Sequence, residues 1–403
     1  KGKGSTATMI ASMLDVACGP TALFTSPHLQ KHVERMVFNS SRVSEENFAR
    51  GLCEIKDILE KHHSGAHGPV TYFQSLIAIF FHLVHSSKEP FDWQVIEVGM
   101  GGLYDATNVF THKDVAVFTP ISMEHTNKLG RTCSEIATHK AAIITPDCQV
   151  VLAPQQYKEA KQVILDRANE LGCTVVEVGN EYNANFLSVR EGKQHFTVEG
   201  PSGLESFTTS LLGEHQMLNA MTALATIACI ESSQQEFDRE KLKVGLDKAW
   251  LPGRLDLLAT NPLIIADGAH TQESAAVLHK AVSKFFLFKK TIIVLASNQD
   301  KDIKAIFGNL KTSDCTLIAT RTHNPKALEP EEILERIGID TNGPITCLKA
   351  ESIARAIDTA RSIALDNDLI LITGSLYAVG EARDYMEQVE QQIGPLLSSS
   401  PVA

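Results

Sequence analysis

Several short strings in this chain of 403 residues place chemically useful side chains at turns, where they are free to act. Gly2-Lys3-Gly4-Ser5-Thr6 leads into a helical pattern. Glycines there let backbone amides curl around phosphate oxygens, and a helix N-terminus adds partial positive charge. Lys3 could reach the outer phosphates, and a hydroxyl from Ser5 or Thr6 could serve Mg2+. The full phosphate-loop pattern has Ser or Thr directly after the lysine; here Gly4 intervenes. Glu97-Val98-Gly99-Met100-Gly101-Gly102 follows an apolar run. Glu97 then falls at the carboxyl end of a buried parallel strand, where open α/β sheets bind ligands. A carboxylate there suits Mg2+, a hard cation that prefers oxygen. Ser122-Met123-Glu124-His125 sets a carboxylate and an imidazole at the end of another such strand. Asp267-Gly268-Ala269-His270 and Thr373-Gly374-Ser375-Leu376-Tyr377 occupy equivalent positions in the second half. In Leu212-Gly213-Glu214-His215-Gln216, His215 and the later Asn219 are four residues apart on one helix face, and amide side chains suit purine edges. Taken singly, each string also fits an ordinary turn, helix cap or solvated residue. Their number and shared position after strands point to chemistry.

The elements that must position these strings alternate along the chain. A helical pattern runs from Ser5 to Cys18, then a short strand to Thr25 and a loop from Ser26 to Leu29. Ser44, followed by Glu45 and Glu46, reads as a helix N-cap with an acidic first turn. Tyr72–Val84 reads as a buried helix, too short to cross a membrane. Trp93–Val98, Val115–Phe118, Val150–Ala153 and Thr174–Glu177 read as buried strands. Asn183–Thr209 alternates and turns at Glu191-Gly192, as antiparallel strands do. Later strands are expected at Leu263–Ala266, Thr291–Leu295, Thr316–Ala319 and Leu369–Ile372. Helices are expected at Glu273–Phe286, Pro330–Ile337, Ile353–Leu365 and Tyr377–Val389. The predicted class is α/β. A parallel-sheet domain of the P-loop NTPase type spans 1–253, and a smaller Rossmann-like α/β domain spans 254–403. The boundary is placed by the breakers in Leu251-Pro252-Gly253-Arg254. Lys61–Gly68, rich in His, and the Ser-rich tail from Ser398 read as solvated surface.

Composition narrows the class. Hydrophobic residues make up 43% and charged residues 21%, as in ordinary globular domains. The net charge of −11 disfavours nucleic acid or an anionic membrane as a partner, while leaving room for a local cationic pocket. The eight cysteines form no CxxC and have no zinc spacing, so they are read as reduced and mostly buried. The chain opens at Lys1, inside what reads as a phosphate loop, so a preceding segment is expected, along with any targeting peptide. The expected compartment is the cytoplasm, or the mitochondrial matrix if that segment carried a transit peptide.

Together and in this order, the strings resemble the folylpolyglutamate synthase / dihydrofolate synthase family, within the Mur ligase group. The resemblance rests on the strings above and on Thr25-Ser26-Pro27-His28-Leu29, Glu34-Arg35, Asp105-Ala106-Thr107-Asn108, Lys140-Ala141, Pro252-Gly253-Arg254-Leu255 and Asp300-Lys301-Asp302. It covers nearly the whole chain. It implies an ATP-dependent amide ligase that makes an acyl phosphate on a pteroate or folate carboxylate. The amine of L-glutamate then attacks, giving ADP and phosphate. It implies a monomer whose ligands are small molecules. Gly2, Lys3, Gly4, Ser5, Thr6, Asn219, Arg254 and Asp267 would hold ATP. Ser26, Glu97 and His125 would hold Mg2+, of which the family uses two. Lys140 matches a lysine carbamylated by CO2, with Lys3, Lys140 and His270 as the catalytic set. His270 and Ser375 match positions that hold glutamate, and Ser26 and His28 belong to a loop that helps form the pterin site.

The chain departs from the family at several places. Leu103 stands for a usual Arg, Glu124 for Asp, His139 for Glu, Ala142 for Gly, Gln74 for Glu and Thr271 for Asn. These changes keep two alternatives open: a catalytically weak paralogue that binds nucleotide or folate, and a Mur-like ligase for another carboxylate.

Overall fold

The structure is a computed structural model and describes residues 1–63, 68–233, 237–338 and 345–397. Part of the His-rich stretch and the tail from Ser398 lie outside the described residues. The chain forms two compact units, Lys1–Leu251 and Pro252–Ala403.

The first unit begins with helix α1 (Lys3–Ala17) and strands β1 (Thr21–Phe24), β2 (Met36–Phe38) and β3 (Ser41–Arg42). Helices α2 (Glu45–His63) and α3 (Tyr72–His85) follow, then β4 (Trp93–Ile96) and β5 (Val115–Phe118). Next come α4 (Thr126–Leu129), α5 (Cys133–Ala141), β6 (Gln149–Leu152), α6 (Lys158–Glu170), β7 (Val175–Glu177) and α7 (Val178–Glu181). The unit ends with β8 (Asn183–Arg190), β9 (Lys193–Gly200), β10 (Gly203–Thr209), α8 (Glu214–Ser233) and α9 (Arg239–Lys248). The strands form three sheets, in the orders β3-β2-β1-β4, β5-β6-β7 and β10-β9-β8. β1 runs parallel to β4, and β5-β6-β7 is parallel throughout. β2 and β3 add an antiparallel edge that the sequence reading did not include. The β8–β9 hairpin turns at Glu191 (φ 52°) and Gly192 (φ 72°), two left-handed residues that match the twist of the strands.

Local sequence sets the helix starts. Ser44 Oγ accepts the Asn47 amide, as its N-cap reading requires. Thr71 and Thr132 open α3 and α5 with capping boxes closed by Gln74 and Glu135. α1 is different. Its buried residues, from Ser5 to Leu14, wrap the whole helix rather than one stripe, because it lies inside the main core. Met9, Ile10, Met13 and Leu14 pack there with Ala220, Ala223, Ile227 and Leu246.

The second unit holds β11 (Asp256–Thr260), β12 (Leu263–Ala266), α10 (Gln272–Phe285), β13 (Thr291–Leu295), α11 (Ile303–Leu310) and β14 (Cys315–Ala319). Then come α12 (Pro330–Ile337), β15 (Thr346–Lys349), α13 (Ile353–Ile363), β16 (Leu369–Thr373) and α14 (Leu376–Leu397). The sheet order is β11-β12-β16-β13-β14-β15, parallel except for β11. β13, β14 and β16 are buried along their whole length, which is why they read as continuous apolar runs. β15, at the edge and half exposed, has no such run.

Gly245 in α9 governs how α1 is seated. A Cβ on Gly245 would lie 2.6 Å from Met13 Cα and 2.7 Å from the Ser12 carbonyl oxygen. Ser12 Oγ also donates to the Gly245 carbonyl, at 2.6 Å. Neither backbone can yield cheaply, so Gly245→Val should cost about 2 kcal/mol or more. Urea unfolding would show this as a lowered midpoint; an unchanged midpoint would mean the two helices are not packed backbone to backbone.

Candidate active site

Glu97 follows β4 and is buried, although it is a carboxylate. The Ser26 amide, just past β1, donates to its Oε2 at 2.8 Å. Lys3 Nζ stands 4.0 Å from its Oε1. A Cβ on Gly4 would sit 3.4 Å from the same carboxylate, so the first turn of α1 lies directly against Glu97. Gly2 has φ 88°, and a side chain there would strike Asn219 Oδ1 at 2.3 Å. Only glycine fits that turn. The parallel pairing of β1 with β4 therefore gathers Gly2, Lys3, Gly4, Ser26, Glu97 and Asn219. Asn219 Nδ2 donates to Gln216 Oε1 at 2.9 Å, which holds its amide in place. Thr6 Oγ1, in the first turn of α1, is buried without a hydrogen-bond partner. A buried carboxylate with nearby hydroxyls is the oxygen-donor chemistry Mg2+ accepts. Among the described residues no three His, Cys, Asp or Glu side chains form a metal cage. His125 has φ 54° and caps the short α4; its carbonyl accepts the Lys128 and Leu129 amides.

Lys140 lies in the last turn of α5, and a loop far away in sequence closes that helix end. The Leu103 amide donates to His139 O at 2.9 Å, Asn108 Nδ2 to Ala142 O at 3.4 Å and Lys113 Nζ to Ile143 O at 3.0 Å. Lys113 also donates to Asn108 Oδ1 at 3.0 Å. Asp105 fastens the same loop by accepting from the Met100 amide (2.7 Å), the Thr107 amide (3.1 Å) and Thr107 Oγ1 (2.6 Å). Lys113 was not singled out by sequence, because nothing local marks a lysine whose partner is thirty residues away. Burial, then the charge of Lys3, push the Lys140 ammonium down to about 8, against the opposing pull of Glu124 and Asp105.

The 26–35 loop is tied to itself. Glu34 accepts the amides of Leu29 (2.8 Å), Gln30 (3.1 Å) and Lys31 (2.9 Å). Buried Arg35 donates from Nε to His28 Nδ1 at 2.9 Å, and its Cζ lies 5.8 Å over the Tyr72 ring. The His28 and His32 rings are 4.7 Å apart, and His32 stacks on Phe48 at 6.2 Å. Burial, followed by Arg35 and His32, pushes His28 down to about 4, against Glu34.

In the second unit, the ends of β12 and β16 bring Arg254, Asp267, His270 and Ser375 together. Asp267 Oδ2 accepts the Leu255 amide and Oδ1 the Ala269 amide, both at 2.9 Å. Burial raises the Asp267 carboxyl, while Arg254, those two amides and His270 pull it back. A Cβ on Gly268 would lie 2.3 Å from Leu376 and 3.1 Å from Arg254 Nη1. His270 Nδ1 lies 2.8 Å from the Gly268 carbonyl, which can only accept. Nδ1 thus carries a proton in this contact. Ser375 Oγ accepts the Tyr377 amide at 3.2 Å.

Several departures from the expected strings have a local reason. Thr271 N-caps α10 by accepting the Ser274 amide, a task Thr shares with Asn. Gln74 Oε1 accepts the Thr71 amide at 2.8 Å, as Glu would. Glu124 pairs with Lys1 at 3.5 Å. Leu103 is exposed, and nothing in the structure explains its replacing Arg. All eight cysteines are free; Cys53 is exposed and the others are buried or half buried. Among the described residues, no helix is long and apolar enough to cross a membrane.

Residues 56–227 match the Mur ligase middle domain, and residues 253–376 match the glutamate ligase domain of Mur ligases. The chain is 31% identical over 411 residues to dihydrofolate synthase/folylpolyglutamate synthase of Mycobacterium tuberculosis, covering 95% of this chain and 83% of that protein. A crystal structure of M. tuberculosis folylpolyglutamate synthase with ADP and AMPPCP matches with a TM-score of 0.87 at 30% identity, covering 96% of this chain and 89% of the other. E. coli FolC in complex with DHPP and ADP matches at 0.81 and 26%, covering 98% and 87%. The fold and the two clusters define a Mur-type ligase. Within that class, the chain belongs to the folylpolyglutamate synthase / dihydrofolate synthase family.

The Lys140 geometry has a direct readout. With lysines reductively methylated using 13C, one NMR resonance should titrate near 8, against about 10.4 for ordinary lysines. It should vanish in Lys140→Arg and move upward in Lys3→Met. A Lys140 signal that titrates with the bulk would disprove the burial argument.

Proposed function

We propose that this chain joins L-glutamate to a folate-type carboxylate, dihydropteroate or tetrahydrofolate, at the expense of ATP. The observation that carries this reading is the buried Glu97 carboxylate, with Lys3, the Ser26 amide and the first turn of α1 set against it. Such a cluster is suited to a polyphosphate and its cation. In this reading the amides around Gly2 and Gly4, with Lys3, hold the phosphates of ATP, while Ser5 and Thr6 face them from α1. Asn219, Arg254 and Asp267 are each proposed to contact the nucleotide. Ser26 and Glu97, with His125 as a further ligand, would hold Mg2+, which when bound neutralises charge on the phosphate oxygens.

The substrate carboxylate oxygen attacks the γ-phosphorus, and the bond to ADP breaks. The glutamate amine then attacks the acyl carbon of the acyl phosphate, loses a proton, and phosphate leaves. His270 and Ser375 are proposed to hold the incoming glutamate. Lys140 is proposed to be carbamylated. A neutral amine adds to CO2, forming an N–C bond and releasing a proton, and a pKa near 8 leaves much of the amine neutral at mildly alkaline pH. The resulting anion would replace a cation beside Lys3 and help hold a second Mg2+. Because the pKa is lowered, carbamate formation should rise through pH 8 rather than only above pH 10.

ADP release should depend on glutamate plus one of the two acids. Silence with both, in a folded sample that binds ATP, would defeat the proposal. Glu97→Ala should abolish Mg2+-dependent turnover. His270→Ala should raise the glutamate KM about tenfold or more and leave the ATP KM within about twofold; equal effects on both would remove His270 from the amino-acid site.

A further inference from the structure

Arg35 and His28 carry an assignment that the reading above leaves open. It rests on the proposed function and on the 26–29 loop helping to form the pterin site for the acid, as the family resemblance implies. An arginine Nε–H can only donate a hydrogen bond, and the guanidinium does not lose its proton in proteins. Arg35 Nε donates to His28 Nδ1 at 2.9 Å, so Nδ1 must present its lone pair. A neutral imidazole has one N–H, and here it can only be on Nε2.

Arg35 is in no position to release this grip. It is 7% exposed, and its carbonyl accepts the Thr25 amide at 2.9 Å, which ties it to the end of β1. Its guanidinium lies over Tyr72. Glu34, one residue before it, gathers three amides of the same loop. On its other side His28 is flanked by the His32 ring at 4.7 Å. The ring is therefore fixed in orientation as well as in tautomer. Among the described residues nothing accepts a hydrogen bond from its Nε2, and the side chain is only half buried.

We propose that Arg35 is a positioning residue that locks His28 as the Nε2–H tautomer. His28 thereby offers the acid substrate a single directed donor and selects a hydrogen-bond acceptor there, an oxo group, a carboxylate oxygen or an unprotonated ring nitrogen. A substrate that presents an amino or ammonium group at that point meets a donor facing a donor and is rejected.

Two measurements on the full chain test this. Long-range 1H–15N correlation spectra should show His28 in the Nε2-protonated pattern at neutral pH. An Nδ1-protonated or imidazolium pattern overturns the assignment. The side-chain exchange separates donor from shape. Gln places an N–H near the position of Nε2, whereas Asn reaches only the position of Nδ1. His28→Asn should raise the KM for the acid by about 3- to 10-fold, the loss of one hydrogen bond, with the ATP KM unchanged. His28→Gln should restore most of it. If Asn and Gln raise the KM equally, the donor at Nε2 is not what the substrate uses, and the proposal falls. If the spectrum shows Nε2–H and neither variant moves the KM while ADP release still requires the acid and glutamate, the ligase stands and the contact between His28 and the acid is wrong. Arg35→Lys, which keeps the charge but loses the directed Nε–H, should weaken the Nε2-protonated pattern; an unchanged spectrum would show that Arg35 does not set it.

Discussion

One buried negative charge organises the nucleotide end of the first unit. Taking a carboxylate out of water costs several kcal/mol unless hydrogen bonds and opposite charge compensate. Glu97 has both: a backbone amide from the loop after β1, and the Lys3 ammonium from the start of α1. The compensation works only if β1 and β4 are neighbours and α1 begins against their carboxyl ends. The parallel pairing of Thr21–Phe24 with Trp93–Ile96 provides the first condition. The backbone contact of α1 with Gly245 helps to provide the second. A helix as buried as α1 cannot shift without disturbing the core around Met9, Met13 and Leu14. The core thus holds Lys3 and Glu97 in register.

The second unit solves a similar problem with less charge. Asp267 spends both oxygens on backbone amides, which fixes the turn between β12 and α10 rather than leaving a bare anion. Gly374, at φ 97°, lets the turn after β16 come so close to Ala296 that a Cβ would lie 2.4 Å from that carbonyl. The turn after β16 thus lies against the one after β13, and the Gly374 amide donates to Ala269 O at 3.0 Å, which ties the turn of Ser375 to the turn that carries His270. Positioning here is mostly backbone work, and the functional side chains stand on turns that have little freedom to move.

Much of this was legible in the sequence, and what was not has identifiable causes. Parallel strands buried on both faces announce themselves as apolar runs, so β12, β13, β14 and β16 could be read directly. The Glu191-Gly192 turn was readable because few residue pairs suit two left-handed positions. β2, β3 and β15 escaped because they are short or half exposed at edges, with no run or alternation to see. In the site, the strings that end strands could be found from spacing alone. The burial of Lys140 could not, since a lysine in a last helical turn ordinarily lies in water, and its surroundings come from a loop thirty residues upstream. The bond between His28 and Arg35 was equally hidden: both residues sat in noted strings, but only the fold of the loop between them shows that one faces the other.

The distribution of the thiols has a practical consequence. Cys53 is the exposed one of eight cysteines, and it lies on α2, the helix that also carries Phe48 against His32 and Glu45 beside Lys31. The other seven are buried or half buried, with burial pushing Cys18 up to about 12 and Cys229 up to about 11, which suppresses the reactive thiolate. Among the eight cysteines of this sequence, a maleimide fluorophore would thus favour Cys53. That point shares α2 with Phe48, which stacks on His32, so the sequence as it stands carries a handle for an optical reporter on the helix that packs against the His28 loop.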